Sequence, residues 1–362
     1  MSKDAKIIFV VTCVLLMLGT VMIYSSSGVY AYGNYGDSLY FVKRHLIYLA
    51  AGLIAAVACM AAPIRGIKDS ARIIMVISVV VLVAVLVPGI GKQVAGARRW
   101  MRFFGVGFQP SEIAKLGLII YMADLTSRKR YLVRDLRRGF LPPLAVTGLV
   151  SGLVLIEPDM GTSVAVLFIG LVMMFISGAR ISHLALITGG TLPVLVIAAI
   201  CEPYRMKRLL TFFNPWKDAK GAGFQLVQSF IALGSGGLLG VGLGASKQKL
   251  FYLPESHTDF IFSIVGEELG FLGAASVLML FAAVILFSLR ISFKLKDLFA
   301  SRLVFGLTVM IAFEVLVNIG VSTGMLPTKG LPLPFISYGG TSLVCHMAAM
   351  GLVFNMSREV EE

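Results

Sequence analysis

Residues 72–90 read RIIMVISVVVLVAVLVPGI, a single arginine followed by an almost unbroken apolar run that stops at Pro88-Gly89. Hydrocarbon offers no partner to backbone N–H and C=O groups, so a run of about 20 such residues is read as a helix long enough to cross a bilayer. Working outward from it, comparable runs occupy 7–26, 46–64, 111–127, 141–157, 160–178, 183–201, 260–289, 302–322 and 339–357, which makes ten in all. The runs at 111–127 and 141–157 are short and flanked by charge. The first run is long, and Tyr24-Ser25-Ser26-Ser27 after it lacks a small-x-small processing site, so it reads as a retained helix and not as a cleaved signal. The expected fold is all-α: a polytopic integral membrane protein of about ten transmembrane helices, one domain over 1–362, with a large loop at 202–259 between the seventh and eighth helices.

Composition excludes most other classes. With 57% hydrophobic and only 14% charged residues, and a mean hydropathy of +0.89, the chain is too apolar for a water-soluble domain, a disordered chain or a coiled coil. Cys13, Cys59, Cys201 and Cys345 lie mostly inside apolar runs and read as packing residues. The net charge of +13 comes from Lys and Arg that punctuate apolar segments and form no basic face on a soluble module. It points to anionic lipid or an anionic lipid-linked substrate, and no nucleic acid is expected. No convincing internal repeat is visible, which disfavours the inverted-repeat transporter folds.

Orientation follows from basic residues in short loops. The densest cluster, Arg128, Lys129, Arg130, Arg134, Arg137 and Arg138, places its loop in the cytoplasm and, by parity, both termini there as well. The exceptions are informative. Lys92, Arg98, Arg99 and Arg102 crowd one outer loop, and Arg205, Lys207, Arg208, Lys217, Lys220, Lys247 and Lys249 crowd the large one. Positive charge retained on the disfavoured side suggests an anion there, although contact with lipid headgroups explains the same charges.

Several residues offer chemistry. Pro110-Ser111-Glu112 reads as a helix start, and Glu112 and Lys115 share a face at i, i+3 and can pair. In Glu157-Pro158-Asp159-Met160-Gly161-Thr162 the aspartate is placed either to cap the sixth helix or to line the outer cavity. Residues 240–245 fit G-x-G-x-x-A, but no βαβ unit surrounds them; these glycines more simply permit tight turns and close backbone approach. Asp259 lies where loop meets bilayer, where partial desolvation raises a carboxylate's basicity; Thr258 and Asp259 equally fit a helix cap. Glu267, Glu268, Glu314, Asn318 and His346 fall within apolar runs and must face protein or water, with interhelical hydrogen bonding the commoner reason and a proton path the alternative.

The chain resembles the SEDS family (shape, elongation, division and sporulation) through Ala97-Arg98-Arg99-Trp100, Gln109-Pro110-Ser111-Glu112 with Lys115, Pro158-Asp159-Met160-Gly161-Thr162, Gly234-Ser235-Gly236-Gly237, Pro254-Glu255-Ser256-His257-Thr258-Asp259-Phe260, Gly266-Glu267-Glu268-Leu269-Gly270 and Pro332 through Gly340. Leu326 to Leu331 looks more like the division branch, FtsW, than the elongation branch, RodA. The resemblance implies an inner-membrane peptidoglycan glycosyltransferase that polymerises lipid II by inverting transfer, with polyprenyl pyrophosphate leaving. It implies Asp259 as the base. It makes Arg98, Arg99, Lys115, Arg205, Arg208 and Lys249 candidate pyrophosphate contacts, with Glu112 orienting Lys115, and Trp100, Asp159, His257 and Ser337 further substrate-binding candidates. It also implies a divalent cation, magnesium or manganese, shared with the pyrophosphate, and a class B penicillin-binding protein as partner, alongside other division or elongation proteins. A lipid II flippase and a non-catalytic division scaffold are the competing readings.

Overall fold

The structure is a computed structural model that describes residues 2–94, 97–103, 106–128, 135–200, 203–250 and 253–360. Each of the ten apolar runs is helical: α1 (Lys3–Tyr35), α2 (Tyr40–Ala61), α3 (Ile64–Leu86), α4 (Pro110–Arg128), α5 (Leu141–Ile156), α6 (Met160–Ile176), α7 (Ile181–Ile200), α10 (Ile261–Lys294), α11 (Leu298–Ser322) and α12 (Gly340–Met356). Six helical stretches among the described residues are long and apolar enough to cross a membrane on their own, so ten crossings are not established by length alone. The large loop holds two shorter helices, α8 (Pro203–Phe213) and α9 (Phe224–Ser235). One feature escaped the all-α expectation: Lys92–Val94, Ala97–Phe103 and Val106–Phe108 (β1 to β3) form a three-stranded antiparallel sheet between α3 and α4. Half of the basic cluster that set the orientation, Lys129, Arg130 and Arg134, lies outside the described residues.

The bundle is built around α11, 61% of whose apolar window is buried inside the protein, whereas α2 turns nearly all of its window outward. Around α11 pack α4, α6, α10 and α12, with α2 laid along α12 and α1 along α10. Small residues set the closest approaches, as expected where helices meet without water to drive them together. At Gly351 an added Cβ would sit 2.3 Å from the Ala56 carbonyl oxygen, so the α2 and α12 backbones touch.

The apolar run read as the eighth span is not one continuous helix. Gly270 takes φ 68°, ψ −168°, a conformation closed to residues with a Cβ, and breaks α10 one residue after Leu269. The break frees backbone groups on both sides, and the glycine-rich stretch after α9 takes them up. Val241 N and Gly242 N donate to the Glu267 and Glu268 carbonyls (3.0 and 3.1 Å), while Phe271 N and Leu272 N donate to the Gly237 and Leu238 carbonyls (2.9 and 3.2 Å). The sequence reading of these glycines as sites of close backbone approach holds. A Cβ at Gly240 would lie 2.2 Å from the Glu268 carbonyl oxygen, and one at Gly236 would lie 2.0 Å from that of Gly266.

Gly270→Ala adds a Cβ that would meet Gly240 N at 2.3 Å in a backbone conformation that excludes it. We expect it to destabilise the protein by at least about 2 kcal/mol, read as a lowered thermal midpoint in detergent. Gly148→Ala, with nothing within 4 Å of the new methyl, should leave the midpoint unchanged or raise it slightly.

Candidate active site

At the end of the bundle where α10 begins, two loops are stitched together. One is the turn that runs from Leu253 to Phe260; the other joins α11 to α12. Asn318 of α11 donates through Nδ2 to the backbone carbonyls of both Asp259 (2.9 Å) and Leu331 (2.8 Å). Ser337 Oγ donates to the Thr258 carbonyl (2.6 Å) and accepts from Leu333 N (2.8 Å), and Tyr338 N donates to the His257 carbonyl (2.9 Å). Ser337 therefore holds the loop that carries Asp259. Nothing in Asn318's sequence context marked it as the tie between the two loops, because its partners lie 59 and 13 residues away.

Asp259 itself is half-buried and is not a helix cap: the residue preceding α10 is Phe260, with no side-chain capping bond, and Thr258 Oγ1 turns back to Glu255. The Gly330 backbone lies against its carboxylate so closely that a Cβ there would be 2.7 Å from Oδ2. Burial, with added repulsion from Glu255, pushes the Asp259 carboxyl up to about 7; Arg99 and Arg208 pull against that rise and Asp159 adds to it. Such a carboxylate is basic, partly accessible and within electrostatic reach of two guanidinium groups.

Asp159 plays the other role that sequence left open. It caps α6, accepting from Thr162 N (3.1 Å) and Thr162 Oγ1 (3.0 Å), and it also accepts from Gln109 Nε2 (3.2 Å) and faces Arg99 at 3.8 Å. The cap and the cavity lining are one residue. Its neighbour Glu157, which sequence reading passed over, is fully buried with neither carboxylate oxygen partnered. Burial and the Asp159 charge push its carboxyl up to about 8 against the pull of Arg99. Two acids within one tight turn were the available signal.

Arg99 reaches this cluster from β2, and its Nε is buried without a partner. The β1–β2 pairing shifts register at Arg99, which falls between the Gln93–Arg98 and Lys92–Trp100 partners, and Trp100 lies beside Gly107. Arg208, on α8, reaches the Thr328 carbonyl at 3.5 Å, in the same loop as Gly330. The Arg205 side chain lies outside the described residues.

Two predicted pyrophosphate contacts are placed elsewhere. Lys249 is buried, with Nζ 2.9 Å from Glu268 Oε1 and 3.1 Å from Ser25 Oγ, and so braces the broken helix against α1. The other is Lys115, only 1% exposed and enclosed by Glu112 (2.8 Å) and Glu314 (2.5 Å). Glu314 continues to His346 Nε2 at 2.8 Å, and His346 Nδ1 donates to the Ser342 carbonyl at 2.7 Å. The predicted Glu112–Lys115 pair forms, but as part of a charge cluster joining α4, α11 and α12, and it does not present Lys115 to a ligand. His257 is likewise enclosed, packed on Phe41 at 4.5 Å between ring centroids. Among the described residues no group of three His, Cys, Asp or Glu side chains is arranged to hold a metal ion.

A bundle of long apolar helices with a carboxylate and arginines gathered at one end is the architecture of a polytopic membrane protein with a charged site at that end. The comparisons specify it. The chain belongs to the FtsW/RodA/SpoVE family, whose model, described as "Cell cycle protein", matches residues 5–362. Stage V sporulation protein E of Bacillus subtilis is 40% identical over 99% of this chain and 97% of its own length. The probable peptidoglycan glycosyltransferase FtsW of Trichlorobacter lovleyi is 41% identical over 97% of this chain and 92% of its own. Among solved structures, one described as "Structural coordination of polymerization and crosslinking by a peptidoglycan synthase complex" matches with a TM-score of 0.80 at 30% identity over 98% of each chain. Thermus thermophilus RodA matches with a TM-score of 0.73 at 28% identity, over 98% of this chain and 97% of its own.

Removing the amine of Lys115 would leave two buried carboxylates uncompensated. We expect Lys115→Met to destabilise the protein by about 3–5 kcal/mol, and adding Glu112→Gln and Glu314→Gln to the same chain to recover part of that loss, both read from thermal unfolding in detergent.

Proposed function

We propose that this chain is a peptidoglycan glycosyltransferase that polymerises lipid II into glycan strands at the outer face of the bacterial cytoplasmic membrane, with both termini cytoplasmic. Within the family, the proposed setting is septal cell division; the similarity to a sporulation protein makes synthesis of a spore-associated wall the second candidate. The observation that carries the reading is the Asp259 carboxylate, uncommitted to any helix cap, half-buried, and within electrostatic reach of Arg99 and Arg208.

In the proposed reaction the acceptor's 4-hydroxyl gives its proton to an Asp259 carboxylate oxygen as its own oxygen forms a bond to the donor's anomeric carbon. The bond from that carbon to the pyrophosphate breaks, the electron pair leaves with the polyprenyl pyrophosphate, and the anomeric centre inverts. With so good a leaving group one carboxylate base suffices, and no second carboxylate nucleophile is needed. Arg99 and Arg208 are assigned to the pyrophosphate, where fixed guanidinium donors stabilise developing charge. Magnesium or manganese is proposed to enter with the pyrophosphate, since the described side chains offer no ligand set of their own. A class B penicillin-binding protein is the proposed partner, in line with the peptidoglycan synthase complex that this fold matches.

Asp259→Asn keeps the shape and removes the base. Incubated with lipid II and the cognate transpeptidase, native protein should make glycan polymer and the Asn variant at least about 100-fold less. Polymer from the Asn variant at the native rate would return Asp259 to a spectator's role; no polymer from an intact native pair would leave the flippase and scaffold readings. Because the base must be ionised, native kcat/KM should fall as pH drops below about 7 and level off above it. Gly330→Ala should lower polymerisation strongly while leaving thermal stability near native, because its methyl group displaces the Asp259 carboxylate.

A further inference from the structure

The turn between α1 and α2, at the same end of the bundle as Asp259, carries a pile of flat groups that the proposed chemistry does not use. The Tyr35 and Tyr40 rings stack with centroids 4.0 Å apart and planes 6° from parallel. The Arg44 guanidinium carbon lies 4.5 Å from the Tyr40 centroid. A gap of 4.0 Å between rings admits no third group, so Arg44 covers the far face of Tyr40 and the order is Arg44, Tyr40, Tyr35. Tyr35 is 52% exposed and ends the pile. The pile is also joined to the active site. Phe41 packs edge-on to both tyrosines, then against Tyr338 at 5.1 Å and His257 at 4.5 Å. His257 is two residues before Asp259, and Tyr338 follows the serine that anchors the Asp259 loop. An aromatic wall thus runs from beside the carboxylate to an exposed ring.

Tyrosines are common at membrane interfaces, where each ring lies at headgroup level singly. That does not account for this arrangement: two rings held face to face, stiffened by a guanidinium, and wired to the loop that carries the base. A rigid, exposed ring has a negative face that suits the slightly positive C–H face of a pyranose, and Arg44 stiffens the pile from its other end. We propose that Tyr35, presented by Tyr40 and Arg44, is a sugar-binding platform that holds a unit of the glycan strand beyond the reacting residues. The proposal rests on the reading of the Asp259 end as a glycosyltransferase site and adds a strand subsite to it.

The test uses the full chain in detergent with its transpeptidase partner, and as probe a soluble, uncrosslinked glycan strand of four disaccharides lacking lipid. Native protein should bind the strand in a titration; Tyr35→Ala and Tyr35→Leu should each weaken binding about tenfold and shift the polymer made from lipid II to shorter lengths, while Tyr35→Trp, which keeps a flat face, should match native in both. Leucine retains an apolar side chain at the interface, so a Leu variant that binds and elongates like native makes Tyr35 a membrane anchor and overturns the proposal. Absence of strand binding by folded native protein overturns it as well. Strand binding that depends on Tyr35 in a native protein that makes no polymer would uphold the platform and defeat the glycosyltransferase reading instead.

Discussion

The structure depends on how it repairs a broken helix. A backbone group without a partner in hydrocarbon is so unfavourable that membrane proteins interrupt helices only where the protein itself supplies the missing bonds. Gly270 breaks α10, and four backbone hydrogen bonds from the glycine-rich segment close the break. The repair explains the glycines of that segment at 236 and 240: there the backbones approach until a single Cβ would overlap a carbonyl, while Leu238, Leu239, Val241 and Leu243 between and after them point outward. It also explains two glutamates within a membrane helix. Both turn toward the repairing segment, Glu267 accepting from Ser246 Oγ and Lys247 N, Glu268 from Lys249 Nζ and Ser25 Oγ. The chain from 236 to 249 is thereby fixed, and the loop that follows it, bearing Asp259, starts from a rigid base.

A second constraint acts from the opposite side. Asn318 reaches out of α11, the most enclosed helix, and grips two carbonyls in two different loops. One turn earlier on the same helix, Glu314 joins Lys115 and His346. The centre of the bundle therefore uses one face of α11 for both jobs: binding α4 and α12 through buried charge, and holding the reactive turn in place. A buried ion cluster is weak evidence for stability as such, but here it fixes which helices meet α11 and in what register, and so where Asn318 points.

The spans were legible because hydropathy is summed along the sequence, and each of the ten runs became a helix, although α1 runs nine residues past its expected end and α3 begins eight before its expected start. The sheet at 92–108 was not, because two three-residue strands around a seven-residue one leave too short an alternation to see against a basic loop. At the site, Asp259, Asp159 and Arg99 could be named from local context and from resemblance. The destinations of Lys115 and Lys249 could not. A lysine in a loop and a lysine in a helix both read as cations available to a phosphate; what removes them is a carboxylate 199 residues away in one case and, in the other, a carboxylate 19 residues away across the broken helix. The same distance problem hides Gly330, whose importance is only that its missing side chain makes room for a carboxylate.

The two aspartates show how the fold separates roles that the sequence leaves together. Each sits at the start of an apolar helix, where a side-chain oxygen ordinarily meets the first free N–H groups. Asp159 does so and is spent on α6, with one edge left to face Arg99. Asp259 is denied that use, because the cap position falls one residue later, at Phe260 before α10, and the turn from Glu255 to Phe260 is closed by its own bonds, Thr258 N and Phe260 N both donating to the Glu255 carbonyl. A carboxylate that neither caps a helix nor escapes fully to water has lost solvation without gaining a hydrogen-bond donor in exchange, which is the condition that raises its basicity. The arginines limit the rise without abolishing it, since Arg99 is shared with Asp159 and Arg208 with the loop at Thr328. The reactivity assigned to Asp259 thus follows from a one-residue displacement of a helix start.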